Sequence, residues 1–238
     1  MKLFNLPNFI TMGNALCGCL AITFILGDQP DLFTASLLVL AGAVLDFFDG
    51  FAARLLKISS PLGGELDSLA DVITFGLVPA FIARHLLLQT ELAQTYPLIG
   101  YFPLIIALFS ALRLAKFNVD TRQSLGFIGL PTPANTLLWI AFPLTVATTS
   151  APNPFWIAPF ISNGYAIMVL AVISSFLLIS EIPLIALKFK GFGWKGNESK
   201  FVLVAGSVVL GAIFQFAALP LILVLYVGLS VVFNNKSN

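Results

Sequence analysis

Four aspartates, Asp46, Asp49, Asp67 and Asp71, stand in two otherwise apolar stretches, L-D-F-F-D-G-F-A-A-R and, eight residues on, G-G-E-L-D-S-L-A-D. A charged side chain at membrane depth costs about 2.5 to 3.5 kcal/mol, so four together require compensating cations or a bound ligand. Asp46 and Asp49 are three apart and Asp67 and Asp71 four apart, so each pair shares a helical face. If the chain reverses near Ser60, Asp49 and Asp71 each lie about 16 Å from the turn and face each other at one level. Asp46 is then expected a turn deeper and Asp67 a turn nearer the mouth. Such an oxygen-lined box suits Mg²⁺ or Mn²⁺, and two such ions neutralise four carboxylates. Paired carboxylates holding divalent metals are a recurrent means of binding a diphosphate and stabilising transfer at phosphorus. Gly50 and Ala53 share a face and leave room for a flat group against the backbone, while Gly63 and Gly64 relax the entry to the next helix. Ordinary small-residue helix packing is the alternative for Gly50 and Ala53.

The elements that carry these acids must cross a bilayer. Mean hydropathy is +0.98, 58% of residues are hydrophobic, only 10% are charged, and phenylalanines number 23. A soluble domain carries roughly 25% charge. Residues 3–27, 123–180 and 201–235 contain no Asp, Glu, Lys or Arg, and a span needs about 20 apolar residues. The fold expected is all-α, a polytopic bundle of about eight transmembrane helices near 8–27, 33–57, 64–87, 97–118, 132–149, 164–181, 201–217 and 219–234. Gly27–Asp31, Ser59–Gly64 and the prolines 152, 154 and 159 supply breaks. Pro220 leaves open whether the last two spans are one kinked helix. The chain reads as a single catalytic domain over 1–238, with a core at 6–190 and C-terminal helices at 201–234. The first helix reads as retained, since no A-x-A site follows it. Cys17 and Cys19 read as small packing residues.

Basic residues test this arrangement. With eight spans, Lys2, Arg54, Lys57, Arg113, Lys116, Arg122, Lys188, Lys190, Lys195, Lys200 and Lys236 fall on one side, and only Arg84 falls toward the other. Cytoplasmic loops collect Lys and Arg. Both termini and the acid cluster are therefore expected at the cytoplasmic face of the inner membrane.

The run Asp46-x-x-Asp49-Gly50-x-x-Ala53-Arg54, eight residues, Gly63, three residues, Asp67, three residues, Asp71 resembles the full signature of the CDP-alcohol phosphatidyltransferases. That family moves a phosphatidyl group from CDP-diacylglycerol to an alcohol and releases CMP. The resemblance implies that Asp46, Asp49 and Asp67 bind two metals, that Asp71 touches metal and serves as general base, and that Gly50 and Ala53 lie against the cytidine. Gly63 belongs to the same substrate-binding set. An alcohol is a poor nucleophile until a positioned base takes its proton, which agrees with that role.

The acceptor must be read outside the signature. R-L-A-K-F-N at 113–118, G-L-P-T-P at 129–133, the opening L-P-N-F-I-T-M-G-N-A-L-C-G at 6–18, and Ser180 with Pro183 and Lys188 are similar to segments of bacterial and archaeal phosphatidylserine synthases. This implies L-serine as acceptor, and the family's usual homodimer. Lys116 departs from the usual Arg of that motif and Glu181 from a common Asn. Arg113 and Lys116 are three apart and both can face the site, to clamp a carboxylate or phosphate, or else they snorkel to headgroups. Asn8, Thr11 and Asn14 form a polar stripe that can donate to a diphosphate, with helix capping as the alternative for Asn8. Arg54 is expected to pair with nearby acids and Lys57 to meet anionic headgroups. His85 reads as interfacial and Glu65 as solvated. The stretch 188–200, which interleaves aromatics with Lys, suits the bilayer surface, and no nucleic-acid partner is expected. The alternatives are a same-family enzyme using glycerol 3-phosphate or inositol phosphate, an aspartate-rich prenyltransferase, and a divalent-cation transporter. Gly50 and Arg54 fit the second poorly, and acids confined to one face argue against the third.

Overall fold

The computed structural model describes residues 4–58, 60–120, 122, 127–148, 156–185 and 197–234. Among them the regular structure is helical, except for one antiparallel pairing of two-residue strands, β1 (Phe127–Ile128) with β2 (Pro183–Leu184). The first three helices are set by local chemistry. α1 (Leu6–Leu26) starts where the Asn5 side chain accepts from the Asn8 amide at 2.9 Å, with Pro7 in the first turn. α2 (Leu32–Leu55) starts at Asp31, which accepts from the Thr34 amide at 2.9 Å and the Thr34 hydroxyl at 2.6 Å. α3 (Pro61–Asp71) starts at Ser60, whose hydroxyl accepts from the Gly63 amide at 3.0 Å. Each cap satisfies an amide that the helix itself leaves without a partner.

From Asp71 the chain runs without a break through a π-helical segment, Val72–Leu77, into α4 (Val78–Leu88). Pro61–Leu88 is thus one 28-residue rod. A short α5 (Glu91–Thr95) and a 3₁₀ stretch, Pro97–Leu104, lead into α6 (Ile105–Val119). Then follow α7 (Thr132–Thr148), the short α8 (Ile157–Ile161), α9 (Gly164–Ile179), α10 (Glu198–Phe214) and α11 (Ala218–Asn234). Close approach of α1, α2 and the π segment fixes the site's frame. A Cβ on Gly18 would lie 2.5 Å from Thr74 Oγ1, and one on Gly42 would lie 2.9 Å from both Thr74 Cγ2 and Asn14 Oδ1. The core continues through Phe75, Ile82, Trp139, Phe142 and Ile167, all within 1% of complete burial, with Phe142 stacked on Phe160 at 4.9 Å.

Each of the expected spans coincides with a helix, although several boundaries shift. The turn after α2 is shorter than expected: α2 stops at Leu55 rather than 57, and Gly63 and Gly64 lie inside α3, because Ser60 caps and Pro61 opens that helix. The last two spans are two helices. Gln215 takes a left-handed φ of 50° between them, and a Cβ on Gly206 would lie 2.6 Å from Leu225 Cδ2. Those residues would be about 28 Å apart along one straight helix, so the chain has folded back. The returning helix anchors the end of β2: Tyr226 Oη donates to Ile185 O and the Ile185 amide to Ser230 Oγ, each at 3.1 Å.

Five helical stretches among the described residues are long and apolar enough to cross a membrane: Leu6–Leu26, Leu32–Leu55, Pro61–Leu88, Pro97–Val119 and Glu198–Phe233, the last containing the hairpin. Their outward faces carry large apolar side chains such as Phe47, Phe48, Leu108 and Val208, each at least half exposed. Lipid tails are the environment that suits such a surface, and the chain is an integral membrane protein.

Candidate active site

The acids come together where the end of α2 and α3 meet, with α1 packed against both helices. One carboxylate oxygen from each of Asp46, Asp49 and Asp67 lies within 4.8 Å of the others. Asp71 lies within hydrogen-bonding reach of Asp46. The register therefore differs by one turn from the reading in which Asp49 faces Asp71. Because α2 ends at Leu55 and α3 begins at Pro61, the reversal centres near Ile58 instead of Ser60. Asp46 is within hydrogen-bonding reach of both Asp67 and Asp71, and Asp49 lies close to Asp46 and Asp67.

α1 supplies a third wall. Thr11 Oγ1 lies 2.6 Å from Asp49 Oδ2 and 3.0 Å from Pro7 O. A hydroxyl has one proton, and the shorter of the two contacts takes it. Asn14 Nδ2 donates to Asp71 Oδ1 at 3.3 Å, and Thr74 Oγ1 donates to Asn14 O at 2.9 Å. The stripe read as a diphosphate donor thus spends two of its members, Thr11 and Asn14, on orienting carboxylates. Asn8 lies close to Gly63, where a Cβ would be 3.4 Å from Asn8 Oδ1.

Among the described residues no ion pair reaches any of the four acids. Asp67 Oδ1 is buried without a hydrogen-bond partner. A buried, unpaired carboxylate oxygen beside two further acids fits a divalent cation with oxygen preference, and it fits little else. Asp46, Asp49 and Asp67 are the residues that would hold it.

A cleft of about 540 Å³ opens from the cluster toward the α2–α3 turn. Asp49 and Asp67 lie in its lining, Gly50, Ala53, Gly63 and Gly64 form its middle, and Arg54, Lys57 and Ser60 complete the rest. A Cβ on Gly50 would meet only Arg54 Nη1, at 3.9 Å, and one on Gly64 would meet nothing within 4 Å. Between these backbones a flat group has room. Arg54 makes none of the expected ion pairs with the acids among the described residues; it is exposed and borders the cleft.

Arg113 and Lys116 part company. The Arg113 side chain is 6% exposed, lies over the Phe117 ring at 4.8 Å, and has Asp71 as its electrostatic neighbour. It has no hydrogen bond or ion pair among the described residues. Lys116 Nζ instead donates to Glu181 and, at 3.3 Å, to Ile179 O at the end of α9. Arg122 joins the same acid at 3.2 Å while holding Asp120 at 2.7 Å. The two positions that depart from the resembled motif, Lys116 and Glu181, therefore neutralise each other. The β1–β2 pairing closes the same corner: at Gly129, with φ 77°, a Cβ would sit 2.7 Å from Leu178 O. Lys188 and the greater part of the 188–200 stretch lie outside the described residues, as do Lys2, Lys190, Lys195, Lys236, Pro152 and Pro154.

The π-helical segment is a site feature with no sequence signal. It begins immediately after Asp71, and an extra residue per turn there re-aims the flanking side chains.

Comparison with known proteins identifies the family. The family described as CDP-alcohol phosphatidyltransferase matches residues 4–233. The chain is 42% identical over 129 residues to a Bacillus subtilis protein, covering 54% of this chain and 69% of that one. It is 32% identical over 182 residues to one from Methanocaldococcus jannaschii, covering 76% and 74% respectively. A third, from Mycobacterium tuberculosis, is 32% identical over 186 residues, or 75% of this chain and 60% of that protein. All three are named CDP-diacylglycerol–serine O-phosphatidyltransferase. With Asp49 and Asp67 lining one cleft and the family match running over residues 4–233, the chain belongs to the CDP-alcohol phosphatidyltransferase family.

Proposed function

We propose that this protein transfers the phosphatidyl group of CDP-diacylglycerol to L-serine, giving phosphatidylserine and CMP. The observation that carries the choice of acceptor is Arg113. It is a buried guanidinium with Asp71 as its electrostatic neighbour and no hydrogen bond or ion pair among the described residues, whereas its neighbour Lys116 is held by Glu181. One buried cation next to the acids matches the one carboxylate of serine. A phosphorylated alcohol carries more negative charge and calls for more basic side chains. The names of the similar proteins support the same acceptor.

In this reading Asp46, Asp49, Asp67 and Asp71 hold Mg²⁺ or Mn²⁺ as a two-metal site. When bound, the ions supply positive charge against the diphosphate. Gly50, Ala53 and Gly63 receive the cytidine, and Asn8 and Thr11 border it from α1. Thr11 keeps Asp49 in one orientation through its hydroxyl, as Asn14 does for Asp71. Arg113 takes the serine carboxylate and so directs the serine hydroxyl at Asp71. Asp71 accepts the hydroxyl proton as the serine oxygen forms its bond to the phosphatidyl phosphorus. The bond from that phosphorus to the CMP oxygen breaks, and CMP leaves as the anion. Lys116 contributes by holding α6 against the end of α9. The helices act as one catalytic domain with eight crossings, both termini and the cleft mouth in the cytoplasm of an inner-membrane homodimer.

The test is CMP release from CDP-diacylglycerol in detergent, with serine, glycerol 3-phosphate and inositol phosphate offered separately. Release with serine alone is expected. Release only with a phosphorylated alcohol would move the protein to another branch of its family, and metal flux in vesicles without CMP would replace the enzyme by a transporter.

A further inference from the structure

α2 ends in a conformation that its sequence does not favour. The Ile58 amide donates to Ala53 O at 3.0 Å and the Lys57 amide to Arg54 O at 3.3 Å. This capping pattern needs a left-handed residue, usually Gly or Asn, at the position where Lys57 stands with φ 52°. A branched or long side chain gains nothing locally from that backbone. Yet Lys57 also lines the cleft, is exposed, and its side chain has no hydrogen bond or ion pair among the described residues. A residue that is disfavoured by its backbone and unused by its neighbours is explained by what it meets in the cleft.

Its place along α2 says which part of a ligand that is. Lys57 stands about 12 Å beyond Asp49 at about 1.5 Å per residue, with Gly50 and Ala53 between them. A nucleotide whose diphosphate lies at the acids extends its base over those small residues, and the outer edge of the base reaches the end of α2. Cytosine offers two adjacent acceptors there, a ring nitrogen and a carbonyl oxygen. An ammonium supplies three donors. We propose that Lys57 is a nucleotide-binding residue that donates to the acceptor edge of the base at the outer end of the cleft. The proposal rests on the cleft being a CDP-diacylglycerol site, but not on serine being the acceptor.

Equilibrium dialysis of the purified full-length protein with CMP in the presence of Mg²⁺ tests it, using the wild type, Lys57→Gly and Lys57→Arg. Lys57→Gly is expected to weaken CMP binding about fivefold, the size of one exposed charged contact, with an unchanged or raised Tm because glycine accepts the left-handed backbone. Lys57→Arg should stay within about twofold of the wild type. Displacement by inorganic pyrophosphate, which has no base, should be equal in all three. Unchanged CMP affinity in Lys57→Gly overturns the proposal, and so does an equal loss for CMP and pyrophosphate, which would make the lysine a general attractor of anions. A wild type that binds CMP but releases none with serine defeats the serine reading and leaves the Lys57 comparison standing. A wild type that binds no CMP overturns both.

Discussion

Asp71 and Thr11 separate two kinds of contribution at the residue scale. Asp71→Asn keeps the size and polarity of the side chain but removes the proton acceptor. Turnover is expected to fall by about 10²- to 10⁴-fold while CDP-diacylglycerol still binds, and single-turnover CMP release set beside equilibrium binding checks both halves. Thr11→Val leaves every carboxylate in place and removes only the hydroxyl held at 2.6 Å from Asp49. Orienting contacts of this kind are worth about 10- to 100-fold in metal affinity. A Mn²⁺ titration should therefore shift to higher concentration in that variant, with activity recovering at saturating metal. The acids themselves were legible because their number, spacing and apolar setting admit few explanations. The tasks of Thr11 and Asn14 were not, since a polar stripe on α1 serves equally to cap, to bind a diphosphate or to orient acids. Only the distances to Asp49 and Asp71 choose among these. The pairing of Lys116 with Glu181 was equally hidden: both departures from the resembled motif were visible, 65 positions apart, but nothing in the sequence joined them.

At the scale of elements, helix positions follow from hydropathy, whereas register follows from caps. Apolar runs located the helices, yet an error of a few residues at the α2–α3 turn was enough to move Asp71 from Asp49 to Asp46. Ser60 followed by Pro61 carries the signal that would have corrected it. The tightest joint in this frame is α1 against the π segment. Gly18→Ala puts a methyl group 2.9 Å from the Thr74 Cα as well as against its hydroxyl, and backbone cannot step aside as a flexible side chain does. Overpacking of this kind costs about 1–3 kcal/mol. A lowered Tm is expected, together with weaker metal binding as Asn14 and Asp71 are displaced; full activity would place the helices farther apart than described. The α6–α9 corner answers to pH instead. The Lys116 hydrogen bond, aided by Arg122, holds Glu181 below the usual glutamate range. Its folded value being depressed, the stabilisation is complete above about pH 4.3 and is lost as the pH falls from there through the lower folded value. Glu181→Gln lacks this dependence, so the difference in Tm between the two proteins should shrink below that pH. A difference constant down to pH 3 would remove the ion pair from the account.

For the whole molecule, the distribution of charge and the position of the cleft make one statement about orientation. The acids, Arg54 and Lys57, and the ion-paired corner of Lys116, Arg122 and Glu181 belong to one end of the bundle. Asp28 in the α1–α2 turn and Arg84 belong to the opposite end. Positive charge is retained on the cytoplasmic side during insertion, and both serine and the leaving CMP are water-soluble, so cleft and basic loops belong on the same side of the bilayer. Single cysteines decide the matter, placed after Cys17 and Cys19 have been replaced by alanine. Asp28→Cys should react with a membrane-impermeant thiol reagent added to intact cells. Val119→Cys, 79% exposed at the other end of α6, should react only after the membrane is opened. The reverse labelling would put the cleft outside, away from any cytosolic supply of CDP-diacylglycerol and serine, and the basic residues around it would then need a reason other than topology.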